Sequence, residues 1–434
     1  LDATSQLLQS PAALMLSGVL LAGLSFTGLP MIPLLCLSAG CFLMANIVQQ
    51  PEESQIVESP ETPETEASTA QQKPDLFDRL QVEPLELLLG IGLLKLTKQE
   101  HGDLLEKLSH LRHQIAEELG IIVPRVRIRD DLTLDRHEYR IRIKGVEQAR
   151  GTAYPDGFLA LESPQTTQQI AGIELQTGSD LLRAKWIEAS HSETARQYGY
   201  RVVEPATALM IHFAEIVREH SAELLTRQQV HELIDRLKQS APQMIDELVP
   251  NSISTVKIHQ VLSILLEERV PVRDLETILQ TMGDHSTRVH QSGQLAEIVR
   301  RKLAGSITEQ YRDEQHRLTA VAFDATWEDE LLTTVLWEDN IPRLQLDLHS
   351  RQELLFQLKE RTGEMITDGY TPVLICESQL RPALRQLTRE SLPRLAVLAL
   401  PEISRDTEIR IYRRISQQHI SSASEGRPSF EAIH

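Results

Sequence analysis

Cysteines and nucleotide-binding motifs are scarce in this sequence, and their scarcity narrows the possible functions. The 434 residues include three cysteines, Cys36, Cys41 and Cys376, and none stands in a CxxC motif or a Cys/His cluster. A disulfide framework and a zinc site are therefore unsupported. The glycine-rich loops that hold phosphates and the GxSxG motif of many hydrolases are also missing. We expect no cofactor, no bound metal and no enzymatic activity.

Some polar clusters could suggest a catalytic or metal site, but each is incomplete. Carboxylates gather at 324–330, and paired carboxylates can serve acid–base catalysis, yet no pattern places these in a pocket. A solvated helix face is the favoured interpretation. His110 and His113 share a predicted helix face, and His285 and His290 flank a predicted loop. Neither pair has the companion ligands of a zinc site.

Positive charge is in short supply. Lys and Arg number 44 against 62 Asp and Glu, which gives a net charge of −18. Nucleic-acid binding relies on a basic surface that neutralises phosphates. The balance therefore argues against nucleic acid as the main partner.

Charge is missing altogether between Asp2 and Glu52, which predicts a membrane-embedded segment. As one helix, the apolar run 11–48 would extend roughly 57 Å at ~1.5 Å per residue. A bilayer core is only ~30 Å thick, so the run suits two passes. A Gly-Leu-Pro sequence supplies a tight turn, and we predict spans at about 11–28 and 30–48. A buried helical hairpin in a soluble protein is the alternative.

Residues 49–75 are predicted to form a flexible acidic linker. The segment is rich in Pro, Glu, Ser and Thr and has almost no large apolar residues. It cannot bury enough surface to offset the entropy cost of ordering. A solvated tether is the favoured interpretation, and binding of a basic partner is the alternative. The first basic residue is Lys73, so flanking charge gives no membrane orientation.

A mixed α/β region is predicted next. Alternation at 85–89 predicts a strand with one buried face. An apolar stripe predicts a helix over about 98–119, with Gly120 as its C-cap. The residues of this stripe are Leu104, Leu105, Leu108, Leu111, Ile115 and Leu119.

Two further segments, 125–129 and 139–144, alternate basic residues with apolar ones. As a β-hairpin they would present a dense basic face opposite an apolar one. Like charges directly opposite each other destabilise a sheet. The favoured interpretation is a basic face exposed to solvent, and binding of an acidic partner is the alternative.

Residues 225–303 are predicted to be helical throughout. Thr226 with Gln229, and Ser240 with Gln243, fit capping boxes. The apolar stripe between them consists of Val230, Leu233, Ile234 and Leu237.

The last region alternates strands and helices. Strands are predicted at 319–323, 372–376 and 395–400, and helices at 378–388 and after a Ser350 cap. This βαβ pattern implies a small, mostly parallel sheet. A later EIRIYRRI sequence could add a strand to it.

The segment 247–282 reads as two short amphipathic helices around a break. Apolar residues recur at helical spacing on both sides of Val270-Pro271-Val272, and proline stops the first helix. The segment resembles the FHIPEP family, the large export gates of type III secretion systems and of the bacterial flagellum. Segments 202–238 and 371–404 carry the same resemblance, which extends over nearly the whole chain.

The resemblance implies a multidomain fold that combines α/β and all-α parts. Two transmembrane helices (1–48) and the linker would lead into a cytoplasmic region of four subdomains. The expected limits are 76–155 with 205–224 for mixed α/β subdomain 1, 156–204 for the small inserted α/β subdomain 2, 225–304 for the helical, ring-assembling subdomain 3, 305–403 for α/β subdomain 4, and 404–434 for a C-terminal tail.

The resemblance further implies a component of the bacterial inner membrane whose cytoplasmic parts form a nonameric docking ring. Expected partners are other export-apparatus membrane proteins, secretion chaperones with their substrates, a gatekeeper protein and the stalk of the secretion ATPase. In flagellar relatives, chaperones bind an apolar dimple. Its positions match Val203, Ala208 and Ile211, within a pattern ending at His212, and ordinary core packing is the alternative for all three.

One departure from the flagellar pattern bears on the branch of the family. Residues 177–180 stand where the flagellar pattern has an Asp-Pro-Ala-Phe stretch, so its aromatic wall is missing. This favours a virulence-type injectisome over a flagellar gate. Two alternatives come from other classes: a regulatory soluble domain of a membrane transporter, and a nucleic-acid adaptor acting through the basic hairpin. The lack of intramembrane charge argues against the first, and the overall acidity against the second.

Overall fold

The computed structural model describes residues 82–97, 104–163, 166–175, 184–338 and 341–416. These residues belong to one compact unit, Asp75–His434. The predicted spans at 11–28 and 30–48 and the linker at 49–75 lie outside the described residues. Within the described ranges, no helix has both the length and the apolar character needed to cross a bilayer.

Strands and helices alternate in three parts of this unit. The strands are β1 (Leu85–Leu89), β2 (Arg127–Asp130), β3 (Glu138–Ile143), β4 (Val146–Thr152), β5 (Gly157–Leu161), β6 (Ile173–Glu174), β7 (Ala184–Glu188), β8 (Arg201–Val203), β9 (Arg317–Phe323), β10 (Val335–Glu338), β11 (Ile341–Leu344), β12 (Val373–Cys376), β13 (Ala396–Ala399) and β14 (Glu408–Ile415).

The helices dominate the middle of the unit. They are α1 (Leu104–Leu119), α2 (Ser192–Gln197), α3 (Pro205–Glu219), α4 (Ser221–Leu224), α5 (Arg227–Ser240), α6 (Pro242–Leu248), α7 (Thr255–Glu267), α8 (Leu275–His285), α9 (Ser292–Lys302), α10 (Ala304–Glu309), α11 (Ala325–Thr333), α12 (Leu348–Thr367) and α13 (Arg381–Thr388).

The first sheet has the order β2–β1–β3–β4, with β1 parallel to β2 and antiparallel to β3. The predicted strand at 85–89 is confirmed, and its leucines are buried. The predicted basic hairpin is wrong, because β1 lies between β2 and β3. Glu86 of β1 stands opposite both Arg127 and Arg142, so the central strand places a carboxylate between the arginines.

Other glutamates complete this neutralisation. Arg140 of β3 donates to Glu138 at 2.9 Å and lies 3.6 Å from Glu147 of β4. Arg127 pairs with Glu83. The sheet therefore supplies its own acids, which removes the like-charge repulsion that had left an acidic partner open. The acids lie on β1, β3 and β4 and just before β1, outside the two alternating segments from which the hairpin was predicted.

Helices α1 and α3 pack together beside this sheet. The predicted stripe of α1 is buried except for Leu105, which is 58% exposed. The described part of the helix begins at Leu104, and 98–103 lie outside the described residues. Gly120 ends the helix with φ +80°, as predicted for its C-cap. The adjoining Leu119 carbonyl accepts from the Val272 amide at 2.8 Å, which ties α1 to the helical part.

A second, smaller sheet has the order β6–β7–β5–β8 and is formed by residues 157–203. Helix α2 contributes Ala195 to a separate apolar cluster with Ala160 and Ile187. Strand β8 ends at Val203, and α3 begins two residues later with a proline in its first turn. The small sheet is therefore connected directly to the helix that packs on the first sheet.

The helices α5 to α9 share a core that is continuous with the core of the first sheet. The capping box of Thr226 and Gln229 is confirmed. The second box is wrong, because Ser240 is the last residue of α5 and its hydroxyl donates to the Leu237 carbonyl. Ala241 precedes α6, and Pro242 opens it.

The segment 247–282 forms α7 and α8, and both predicted stripes are buried. The break between them is confirmed. Arg269 has φ +58°, and the Val270 amide donates to the Leu265 carbonyl. Val270 and Val272 are buried, so the break is packed into the core.

The last sheet has the order β13–β12–β9–β14 and is entirely parallel, as the βαβ pattern predicted. The EIRIYRRI sequence forms β14 beside β9, so the segment predicted as a tail contributes a strand. The predicted Ser350 cap is wrong. Asp347 accepts from the amides of His349 and Ser350, and α12 begins at Leu348.

Candidate docking surface and buried junction

The three predicted dimple residues lie close in sequence but differ in accessibility. Val203 ends β8 and Ala208 lies in α3, and both are buried in the core. Ile211, one turn further along α3, is 50% exposed. A partner can therefore touch Ile211 directly, whereas Val203 and Ala208 would only support the surface beneath it.

His212, beside Ile211, anchors α3 to the first sheet. Its Nδ1 lies 2.7 Å from the Tyr139 hydroxyl, and the two rings meet edge to face. Burial lowers the pKa of His212 despite the opposing charges of Glu215 and Glu219, which favours the neutral imidazole. Burial also raises the pKa of Tyr139. The hydrogen bond is therefore between neutral groups and fixes the orientation of α3 below Ile211.

Aromatic residues link the first and second sheets. Tyr154, in the connection between β4 and β5, packs against His137 with ring centroids 5.0 Å apart. On its other side, Tyr154 meets the buried Trp186 of β7 edge to face at 5.6 Å. Residues 177–180, where the flagellar aromatic is replaced, lie outside the described residues. Sequence reasoning missed Tyr154, which nothing in its local pattern singled out.

A buried ionic junction joins the helical part to the last sheet. Arg300 of α9 donates to both carboxylate oxygens of Glu402, at 2.8 and 2.7 Å. Arg381, the first residue of α13, donates to Glu297 at 2.7 Å and to Glu268 at 2.6 Å. Arg300, Arg381 and Glu402 are buried. These residues are far apart in sequence, so no local sequence pattern predicts the junction.

Two carboxylates of this junction, Glu268 and Glu297, have shifted pKa values. Burial would raise the pKa of Glu268, but Arg381 and Arg300 outweigh it and lower that pKa. At Glu297 burial prevails over Arg381, and the pKa is raised. Charges removed from water need good geometry to repay their desolvation, and removing one partner is strongly destabilising. The junction therefore favours one particular arrangement of the two parts.

The carboxylates at 324–330, which the sequence raised as a possible catalytic cluster, have structural roles or face solvent. Glu328 Oε1 accepts from the Glu377 amide at 2.7 Å, and burial raises the Glu328 pKa. Glu328 therefore accepts a hydrogen bond from the backbone amide that follows β12. Asp329 and Glu330 are exposed, as predicted for a solvated helix face. In the part of the chain that the structure describes, no three His, Cys, Asp or Glu side chains are grouped to hold a metal ion.

Two further surfaces offer apolar contact. Val256 is exposed on α7, the helix that contributes His259 and Gln260 to a groove of about 430 Å³, which extends to the start of α9. Trp337 and Ile341 are exposed on the two-stranded β10–β11 sheet. The sequence predicted helix α7 but gave no indication of which face remains uncovered.

The profile of the FHIPEP family matches residues 1–408. This chain belongs to the FHIPEP family. It is 32% identical to the flagellar biosynthesis protein FlhA of Bacillus subtilis over 419 residues, which covers 94% of the chain and 61% of that relative. The Escherichia coli FlhA is also 32% identical, with 94% and 58% covered. The chain thus spans about three fifths of the length of these relatives.

Solved structures share the fold of the described region. The Chlamydia pneumoniae CdsV protein, in its complex with CdsO, aligns with a TM-score of 0.69 and 21% identity and covers 77% of this chain and 98% of that one. Nonameric EPEC SctV-C aligns with a TM-score of 0.64 and 18% identity, with coverage of 77% and 98%. At these identities the likeness establishes the mixed α/β fold.

Proposed function

We propose that this chain is the C-terminal part of a type III export gate, and that its folded region forms a nonameric ring for protein export. The observation that carries the proposal is the shared fold with nonameric EPEC SctV-C, together with membership of the FHIPEP family. The role is that of a platform and requires no catalytic residue. Anchoring in the bacterial inner membrane, through the predicted spans at 11–28 and 30–48, is part of the same proposal.

Ring assembly is assigned to the helical part. Val256 and the groove that begins at His259 leave apolar and concave surface on α7 that the described residues do not fill. Exposed apolar surface of this kind is typical of protein–protein contacts. The ionic junction would hold this surface in a fixed position relative to the last sheet, as a closed ring requires.

Docking of secretion chaperones with their substrates is assigned to Ile211 and the surface that Val203 and Ala208 support. The exposed apolar side chain on a rigidly anchored helix supports this assignment. A gatekeeper protein, the ATPase stalk and other export-apparatus proteins are the further partners proposed. The complex of the related CdsV with CdsO supports partner binding in general.

The branch of the family remains a separate proposal. The replaced aromatic at 177–180 favours an injectisome, and the 32% identity to flagellar FlhA favours a flagellar gate. Titration with one chaperone from each system discriminates between them. Binding of an injectisome chaperone alone would support the first, and binding of a flagellar chaperone alone would support the second.

Electron microscopy of the purified unit Asp75–His434 tests the ring. We expect nine-fold particles, and Val256→Arg should convert them to monomers with an unchanged circular dichroism spectrum. Leu132→Arg, at an exposed loop position on another part of the unit, is the matched control and should preserve the ring. A strict monomer at high concentration that also binds no secretion chaperone would overturn the proposal.

A further inference from the structure

A small cavity lies at the ionic junction, between the end of α7, helix α9 and the chain that leads into β13. Its volume is about 30 Å³. The walls include apolar residues of β13, but charged side chains are prominent among them. The polar lining residues used below are Glu268, Arg269, Arg300, Tyr311, Arg385 and Arg394.

The guanidinium of Arg385 donates to two backbone carbonyls, those of Leu395 at 3.4 Å and Glu267 at 3.2 Å. Among the residues that the structure describes, no carboxylate lies within ion-pair distance of it. Burial lowers the pKa of Arg385, which reflects the cost of holding this cation out of water. An anion beside it would relieve that cost.

Arg300 also has unused hydrogen-bonding capacity at the same place. The side chain is 2% exposed. Its Nη1 lies 3.1 Å from Glu268 Oε2, but this nitrogen makes no hydrogen bond of acceptable geometry. A buried donor without an acceptor is costly. Arg300 lines the cavity, so an acceptor within the cavity would satisfy it.

Within the junction, the three arginines Arg300, Arg381 and Arg385 equal the carboxylates Glu268, Glu297 and Glu402 in number, but the ion pairs of these carboxylates are with Arg300 and Arg381.

At the rim, however, two arginines share one carboxylate. Arg269 lies 2.8 Å and Arg394 lies 3.6 Å from the same oxygen of Glu215. One cation is therefore in excess, and the raised pKa of Glu297 weakens the negative side further.

We propose that this cavity binds one monatomic anion of the halide class, held by Arg300 and Arg385. The volume of about 30 Å³ that is open to the centre of a water-sized sphere exceeds the ≈10–15 Å³ needed to admit one water molecule. A chloride ion suits this space. The bound ion bridges α9 and α13 and so fastens the helical part to the last sheet. This inference does not depend on the proposed role in export.

Thermal unfolding of the full chain in detergent tests the site. Sodium chloride is exchanged for sodium gluconate at constant ionic strength, because gluconate is too large for the cavity. A ligand that binds only the folded state stabilises it as its concentration exceeds the dissociation constant. We expect chloride to raise the unfolding midpoint by about 2 °C and to reach saturation.

Arg385→Gln should abolish this chloride dependence. Arg389→Gln is the matched control. Arg389 follows the last residue of α13, four positions after Arg385, and its exposed side chain pairs with Glu267. Chloride-35 NMR supplies a second readout. Excess line broadening is expected with the wild type and with Arg389→Gln, and its loss with Arg385→Gln. If Arg385→Gln fails to fold, Arg394→Gln at the rim should weaken the broadening instead.

The opposing results are equally specific. An unfolding midpoint that is equal in chloride and gluconate, together with no excess broadening, would overturn the anion site. Equal chloride dependence in the wild type and in Arg385→Gln would do the same. Ring formation by Asp75–His434 is measured separately, so either proposal can fail without the other.

Discussion

Arg300 and Glu402 form a two-point ion pair in the protein interior. Nε lies 2.8 Å from Oε1 and Nη2 lies 2.7 Å from Oε2, although the two residues are 102 positions apart in sequence. Their side chains are 2% and 1% exposed. The pair therefore connects α9 to the turn that follows β13 without help from solvent.

Removing one member of this pair should destabilise the protein strongly. Glu402→Ala leaves the Arg300 cation buried, and the free energy of unfolding should fall by about 3–5 kcal/mol. Urea unfolding of Asp75–His434 measures the change. Glu267→Ala is the control, because it breaks an exposed pair with Arg389 and should change stability by less than about 1 kcal/mol. Equal losses in the two variants would contradict the importance of the buried pair.

Stability should fall in acid because of Glu268. Arg381 and Arg300 outweigh burial and lower its pKa from 4.5 to about 2. A carboxylate with a lowered folded-state pKa stabilises the protein above its unfolded pKa, and this contribution is lost as pH falls from about 4.5 towards 2. Urea unfolding over this pH range should show the decline, with a shallower slope in Glu268→Gln. An unchanged slope would contradict the assignment.

Glu297 should act in the opposite direction. Its pKa is raised above 4.5, chiefly by burial. Its contribution is therefore present at low pH and lost as pH rises through its folded-state pKa. In the same measurements, Glu297→Gln should flatten the pH dependence above 4.5 and leave the acid decline in place.

Gly120 should tolerate no side chain. Its φ is +80°, and an added Cβ would lie 2.4 Å from the Arg273 backbone nitrogen. Gly120→Ala should lower the free energy of unfolding by at least about 2 kcal/mol, because it combines left-handed strain with a backbone clash. Gly293→Ala is the control. Nothing lies within 4 Å of its Cβ position, and this helical site should be unchanged or stabilised by up to about 1 kcal/mol. A similar loss in both variants would refute the steric argument.

Ile211→Asp should weaken chaperone binding while leaving the fold intact. Ile211 is half exposed, so its replacement should alter stability by about 0.5 kcal/mol or less. A charge placed in an apolar contact should weaken the dissociation constant by about tenfold or more, as measured by calorimetry. Leu132→Asp, at another exposed apolar position, should bind normally. Unchanged affinity of Ile211→Asp would place the docking site elsewhere.

The sequence predicted those elements whose determinants are local. Helices α7 and α8 follow from their apolar stripes and the intervening proline, and β12 follows from its short apolar run. Boundaries failed where two polar residues competed for one role. Asp347 caps α12 because its carboxylate reaches two amides, although Ser350 is an equally plausible cap in the sequence.

Contacts between distant segments were beyond local patterns. Strand β1 lies between β2 and β3 and places Glu86 opposite arginines of both strands, so the basic strands are neutralised within the sheet. Glu86 is distant from them in sequence, so the alternating pattern alone could not reveal this. At the candidate site, resemblance supplied Val203, Ala208 and Ile211, but burial separates Ile211 from the other two. The junction of Arg300 and Arg381 could not be predicted, since each partner is an ordinary helical or loop residue when taken alone.

Strand β14 has a consequence for how the protein is made. Strand β14 pairs with one edge of β9, the first strand of the last sheet to be synthesised. That edge of β9 therefore stays uncovered until β14, the last strand, has been made. At ~5–20 residues per second of synthesis, that edge stays bare on the ribosome for roughly 4–17 s. An uncovered strand edge is a template for pairing with other chains. Nascent chains stalled before Glu408 would therefore be prone to aggregate, while the preceding helical core can already be folded.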